Sequence, residues 1–311
     1  MIEANPINQI RLFGLDKYLN NLIDLKKINK LPNKILLSGQ KGIGKSTLVY
    51  HFINYILSKD ELFNYDIKNY KINKESPTFK TILNKSNPNF ILLDVNDNKK
   101  FIDVNQIREL ILKLTRSSFN EKPRFVLIDN IENLNKNSIN ALLKILEEPI
   151  SNTYFFLINN NSKKILPTLL SRCINFKVSL SNKESLEIAN KLLNVNLSEV
   201  INEDLINHYS TPGNIFRLVQ LGKILKYNLS TLNSKEFLKI FIKEKYYKKD
   251  VFFKYLFFDL IESYLRSISS NFHLDKFLLY DYFINKISNI NKFNLDEDSL
   301  FIEFEEKLLN E

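Results

Sequence analysis

The chain has 311 residues, 44% hydrophobic and 25% charged, which excludes an intrinsically disordered chain and leaves room for two or three domains. Its net charge of +9 accompanies a general wealth of Lys, Asn and Ile with only six glycines and no tryptophan, the bias of an AT-rich genome, so charge alone is weak support for nucleic-acid contact. The single cysteine, Cys173, excludes an intrachain disulfide and a cysteine-based zinc site, and a reducing cytoplasm is the expected compartment.

No apolar stretch follows a basic start, so neither a signal peptide nor an organelle presequence is expected. In chain order, the apolar runs KILLS (34–38), FILLDV (90–95), RFVLID (124–129), YFFLI (154–158) and INFKV (174–178) read as buried strands. Helical patterns such as TLVYHFINYILS and NSINALLKILEE lie between them, the second stopped by Pro149. Apolar strands alternating with helices predict a parallel sheet with helices on both faces. The polar stretch 64–77 reads as a mobile loop.

After residue 178 the strands cease. SNKESLEIANKLL, NEDLINHYS and PGNIFRLVQLGKIL predict a small bundle of three short helices. From residue 234 longer helices follow, among them one in which Phe253, Leu256, Phe257, Leu260, Ile261, Tyr264, Leu265 and Ile268 recur at helical spacing. Its start, 251–261, is the most apolar stretch of the chain, but Lys254 and Asp259 interrupt it and it is too short to cross a bilayer, so no membrane role is expected. The expected division is an α/β core (1–178), a helical lid (179–228) and a C-terminal helical domain (229–311).

Gly39, Gln40, Lys41, Gly42, Ile43, Gly44, Lys45 and Ser46 fit the phosphate-loop pattern GxxxxGK[ST], between a strand and a helix that opens with Thr47. The glycines let the backbone wrap a triphosphate and aim its N–H groups inward. Lys45 supplies charge to the β and γ phosphates, and Ser46 is placed to ligate Mg²⁺. Asp129, at the end of its strand, is placed to hold the same ion through water. ATP and Mg²⁺ are the cofactors this pattern implies. His51, His208 and His273 have no metal-ligand spacing. Gln106, Arg108, Lys136 and Ser138 read as solvated helix ends, with contact to template phosphates as the sharper alternative.

Asn140-Ala141-Leu142-Leu143-Lys144, Leu146-Glu147-Glu148-Pro149 and Ser171-Arg172-Cys173, with Gly14 and LPNKILLSGQKGIGKST upstream, resemble the clamp-loader branch of the AAA+ P-loop proteins over roughly the first 225 residues. The resemblance implies an AAA+ core, a helical lid and a helical collar. By it, Arg172 is a finger reaching the nucleotide site of an adjacent subunit, and Asn160, with Asn159 as the neighbouring contender, is the polar sensor past the fourth strand. Hydrolysing members carry a glutamate after the strand-end aspartate and a sensor arginine in the lid. Here Asn130 and Gly213 stand at those positions, Glu132 reads as a surface residue, and Arg217 lies a turn from Gly213 and reads as solvent-facing.

Loss of both groups beside a retained Ser171-Arg172-Cys173 resembles the delta-prime type of bacterial DNA polymerase III clamp loaders, a stator that donates a finger and hydrolyses ATP weakly or not at all. The family's four-cysteine zinc module is absent, so no zinc is implied. The implied partners are the gamma or tau and delta subunits and, through the complex, the sliding clamp and primer-template DNA. A gamma- or tau-type motor and another AAA+ ATPase, a helicase or replication initiator, are the alternative readings.

Overall fold

The computed structural model describes residues 5–95, 101–116, 120–148, 150–161, 165–249, 251–269, 274–293 and 295–310. The chain forms two compact units, residues 1–192 with 211–213, and residues 193–210 with 214–311.

The first unit contains α1 (Asp16–Lys27), β1 (Lys34–Ser38), α2 (Lys45–Leu57), α3 (Pro77–Leu83), β2 (Phe90–Leu93), α4 (Val104–Thr115), β3 (Arg124–Ile128), α5 (Lys136–Glu147), β4 (Thr153–Asn159), α6 (Pro167–Leu170), β5 (Ile174–Lys177) and most of α7 (Asn182–Leu193). The strands make one five-stranded sheet in the order β2-β3-β4-β1-β5, with every neighbouring pair parallel. The α/β sheet expected from the apolar runs is therefore present, each strand within two residues of its predicted span.

The period-two geometry of a strand explains why these runs are continuously apolar. Ile35 and Leu37 of β1, Phe125 and Leu127 of β3 and Phe156 and Ile158 of β4 enter one hydrophobic core. The alternate residues Leu36, Val126, Ile128, Phe155 and Leu157 enter the core on the other face. Phe52 of α2 packs edge-on to Phe125, with ring centroids 6.0 Å apart, tying the helix after the phosphate loop to the middle of the sheet. β5, at the sheet edge, is mostly exposed, as an edge strand tolerates.

Three expectations are corrected. The stretch 64–77 is folded, not loose: Tyr65 and Ile72 are buried, Asp66 bridges Lys71, and Ile72 N–H donates to Ile10 O. Ser138 is fully buried, its hydroxyl donating to Ile102 O at 2.8 Å, and is no solvated helix end. Gln106 completes a capping box with Asp103 and donates to Asp94 O at 2.9 Å, so its amide is committed to the fold. Arg108 and Lys136 are exposed, as expected. Pro149 lies outside the described residues.

The second unit is helical: α8 (Leu197–Val200), α9 (Pro212–Leu225, from Asn214 on), α10 (Ser234–Lys243), α11 (Tyr246–Lys249), α12 (Val251–Ser269), α13 (Leu274–Phe293) and α14 (Asp298–Phe304), the last continued by a π-turn, Glu305–Leu309. Phe237, Phe241, Phe257, Phe283, Phe301 and Phe304 are its largest fully buried side chains, and Phe241 stacks on Phe257 at 4.7 Å. The helix predicted over 202–210 is only a 3-10 turn at Glu203–Leu205. Asn207 and Ser210 explain the loss, because their side chains bond nearby backbone N–H groups and compete with the helical ladder. Among the described residues no helix is long and apolar enough to cross a membrane.

Candidate functional site

The loop from Gly39 to Ser46 joins β1 to α2 at the carboxyl edge of the sheet, where parallel α/β folds bind ligands. Gly42 and Gly44 have φ of 88° and 94°, a region costly to side chains bearing a Cβ. Gly39 is required by close approach instead, since a Cβ there would lie 2.2 Å from Val178 O. Gly44 is the N-cap of α2, so Lys45 and Ser46 sit in the helix's first turn, where unpaired N–H groups and the helix dipole favour an anion. Gln40 and Lys41 are exposed, Ile43 is buried, and Thr47 is half-buried.

Lys45 is buried, and its Nζ donates to Gly39 O at 2.8 Å and Gln40 O at 2.7 Å. Burial lowers its pKa to about 8, against the upward pull of Asp129 and Glu132. The Ser46 hydroxyl donates to Asp129 Oδ2 at 2.5 Å. Burial raises Asp129 to about 6, with Asp94 adding to the rise and Ser46 opposing it. A hydroxyl and a carboxylate so juxtaposed are hard oxygen donors of the kind Mg²⁺ takes, and they fit an ion bridging to phosphate.

Asn130 has φ 55°, a left-handed conformation that asparagine tolerates better than most residues. Its Nδ2 donates to Asp94 Oδ1 at 2.9 Å, and its Oδ1 accepts from Asn160 Nδ2 at 2.8 Å. The chain Asp94, Asn130, Asn160 thus links the ends of β2, β3 and β4. Asn159 turns instead to Asn161, at 2.8 Å, so of the two candidates Asn160 is the one joined to Asn130. Glu132 is half-buried, accepts from Asn160 N–H at 3.4 Å and acts on Lys45 electrostatically, which corrects its reading as a surface residue. Sequence reading missed Asp94, whose role appears only once β2 is paired beside β3.

The segment 211–213 seats on the phosphate loop. Thr211 Oγ1 donates to Lys41 O at 2.9 Å, and Gly213 N–H donates to Gly42 O at 2.9 Å. Arg217 does not face solvent freely: burial lowers its pKa while Asp259 pulls it up. Arg172 lies on the turn after α6. Its hydrogen-bond partners are Glu147 of α5, the carbonyl of Thr168 and the hydroxyl of Ser171. Cys173 beside it is buried in the sheet's second core, which pushes its thiol up to about 11. His51 is buried between Tyr65 and Gln9, His208 is exposed, and His273 lies outside the described residues.

The family model described as DNA polymerase III, delta subunit, matches residues 14–182. The DNA polymerase III subunit delta′ of Buchnera aphidicola subsp. Schizaphis graminum is 27% identical over 293 residues, 89% of this chain and 85% of that protein. The subunit delta′ of Buchnera aphidicola subsp. Baizongia pistaciae is 32% identical over 186 residues, 58% of this chain and 53% of that protein, so the match spans about half of the latter. The fold is similar to the crystal structure of a DNA polymerase III gamma subunit-related protein from Thermotoga maritima. There the TM-score is 0.50 and the identity 19%, over 91% of this chain and 96% of that one, a likeness of fold alone.

Proposed function

This chain belongs to the DNA polymerase III delta-subunit family, and we propose that it is a delta-prime subunit: the stator and finger donor of a clamp loader that places a sliding clamp on primer-template DNA. On this reading it assembles with gamma or tau and delta subunits in the bacterial cytoplasm. Its core is 1–178, its lid 179–228, and its collar 229–311. Its loop, Gly39 to Ser46 with Thr47, takes Mg-ATP, the ion resting on Ser46 and Asp129. Asn160 is the polar sensor, and Arg172 serves a neighbouring subunit's site.

One observation carries the reading. Lys45, Ser46 and Asp129 converge as a phosphate and Mg²⁺ site requires, yet the group beside Asp129 is the amide of Asn130. An amide whose N–H is given to Asp94 and whose oxygen is taken by Asn160 has no basic lone pair to activate water. The site therefore suits holding nucleotide and not splitting it. Titration of the isolated chain with a fluorescent ATP analogue and Mg²⁺ tests this: binding should saturate, Lys45→Ala should abolish it, and steady-state turnover should be very slow. Absence of binding by the unmutated chain would leave the loop a relic and remove the ATP part of the reading.

A further inference from the structure

Arginine carries five N–H donors in a planar fork, and which edge of the fork is occupied decides what the residue can still do. Arg172 gives Nε and Nη2 to the same acceptor, Glu147 Oε1, at 3.0 and 2.5 Å. Its Nη1 donates to the Thr168 carbonyl at 2.8 Å and makes a long contact, 3.4 Å, with Ser171 Oγ. The carboxylate thus takes the side of the guanidinium formed by Nε and Nη2. The adjoining edge, formed by Nη1 and Nη2, meets no carboxylate among the described residues. That edge is the one that grips two phosphate oxygens side by side. An arginine held inactive by an acid would have a carboxylate on this edge; Glu147 holds Arg172 by its flank, and at Nη1 the edge meets only the neutral oxygens of Thr168 and Ser171.

Glu147 is also badly placed for its own helix. It is the last residue of α5, where the helix dipole disfavours an anion. Arg172, reached from the turn after α6, supplies the compensating cation from a different element. Acceptors from two elements, Glu147 on α5 and the Thr168 carbonyl on α6, therefore confine one long side chain to one orientation, which lowers the entropy it would otherwise lose on engaging a phosphate.

We infer that Glu147 is a positioning residue for Arg172, holding its guanidinium so that the outer edge is presented for a nucleotide's terminal phosphates. The inference rests on the proposed finger role of Arg172 and adds a residue to it. Glu147 touches no phosphate and supplies no charge of the useful sign; its contribution is orientation.

Two measurements test it. In the isolated chain, the Arg172 Nε–H resonance, assigned by its loss in Arg172→Ala, should be sharp and slow to exchange. It should broaden or shift in Glu147→Ala and persist in Glu147→Gln, which keeps an acceptor oxygen. In complexes reconstituted with gamma and delta subunits, Glu147→Ala should lower the clamp- and DNA-stimulated kcat about three- to tenfold with KM nearly unchanged. Glu147→Gln should recover most of that loss, and Arg172→Ala with Glu147→Ala should equal Arg172→Ala alone. An unchanged kcat in assembled Glu147→Ala complexes, or a raised one, overturns the positioning role while Arg172→Ala still lowers the rate. If Arg172→Ala itself changes nothing, the finger reading falls and takes this inference with it, whatever the resonance does.

Discussion

Gly213 N–H donates to Gly42 O at 2.9 Å, and a Cβ added to Gly213 would lie 2.8 Å from both the Cα and the carbonyl oxygen of Gly42. Gly213, which the clamp-loader resemblance aligns with a sensor arginine, is thus packed too closely for any side chain. Gly213→Ala should cost about 1–3 kcal/mol of stability, because the clash is with backbone that cannot rotate away. Gly213→Arg should cost at least as much and leave ATP turnover slow. Urea unfolding and steady-state ATPase check both; an Arg variant of native stability and fast turnover would contradict the packing argument.

His51 supplies a pH dependence. It is fully buried between Tyr65 OH and Gln9 O, and burial lowers its pKa from 6.5 to about 4. As pH falls below 6.5 the unfolded chain takes up a proton that the folded chain refuses, so stability present above 6.5 is lost progressively towards pH 4. At about 1.4 kcal/mol per unit the loss is roughly 3 kcal/mol. Asp129, raised to about 6, acts in the opposite sense, losing stability as pH rises through that value. Comparison with His51→Gln isolates the histidine: the variant is less stable at pH 7, and its deficit should shrink by roughly 3 kcal/mol on going to pH 4. A constant deficit across urea titrations would show that His51 does not titrate as its burial requires.

Asn130→Glu should not create an ATPase. The new carboxylate would meet Asp94, which is itself raised by burial and whose Oδ1 accepts the Asn130 amide at 2.9 Å. Two carboxylates in that space repel, and the single variant should lose about 1–3 kcal/mol. Adding Asp94→Asn exchanges acid and amide between the two positions and should recover most of the stability, a coupling that a double-mutant cycle reads directly. Robust turnover by the monomeric single variant would overturn this account of the site.

Arg172→Ala should leave the fold, assembly and ATP binding of this chain nearly intact, since its ion pair with Glu147 is partly exposed and such pairs contribute only about 0–1 kcal/mol. The stimulated ATPase of the assembled complex should fall; comparable fingers are worth roughly 10³ to 10⁵ at the site they complete, diluted here by the other sites. Arg172→Lys should restore little, because an ammonium lacks the planar fork. Lys45→Ala should show the reverse pattern, losing this chain's nucleotide and sparing the neighbour's hydrolysis. Unchanged activity in assembled Arg172→Ala complexes would remove the finger assignment.

Much of this molecule is written locally in its residues. A strand buried on both faces must be apolar throughout, so KILLS, RFVLI and YFFLI declared the sheet, and GxxxxGK[ST] declared the loop because its chemistry depends on backbone conformation and adjacent residues. The placement of Asp129, Asn130 and Asn160 was legible for the same reason, each lying just past a strand end.

What lay beyond reach depended on neighbours distant in sequence. Asp94 meets Asn130 only because β2 pairs with β3, and Glu147 meets Arg172 only because the turn after α6 returns beside the end of α5. Gly213 read as the loss of an arginine, whereas its contact with Gly42 makes it a packing requirement. Ser138 and Glu132 looked like surface residues because polarity is a property of the residue, while burial is a property of what packs on it. The sequence alone thus determined the elements, the sheet and the phosphate loop, each set by periodicity and local backbone chemistry. Which polar groups are joined across that scaffold was decided by tertiary structure, because a hydrogen bond is specified by distance in space and not by spacing along the chain.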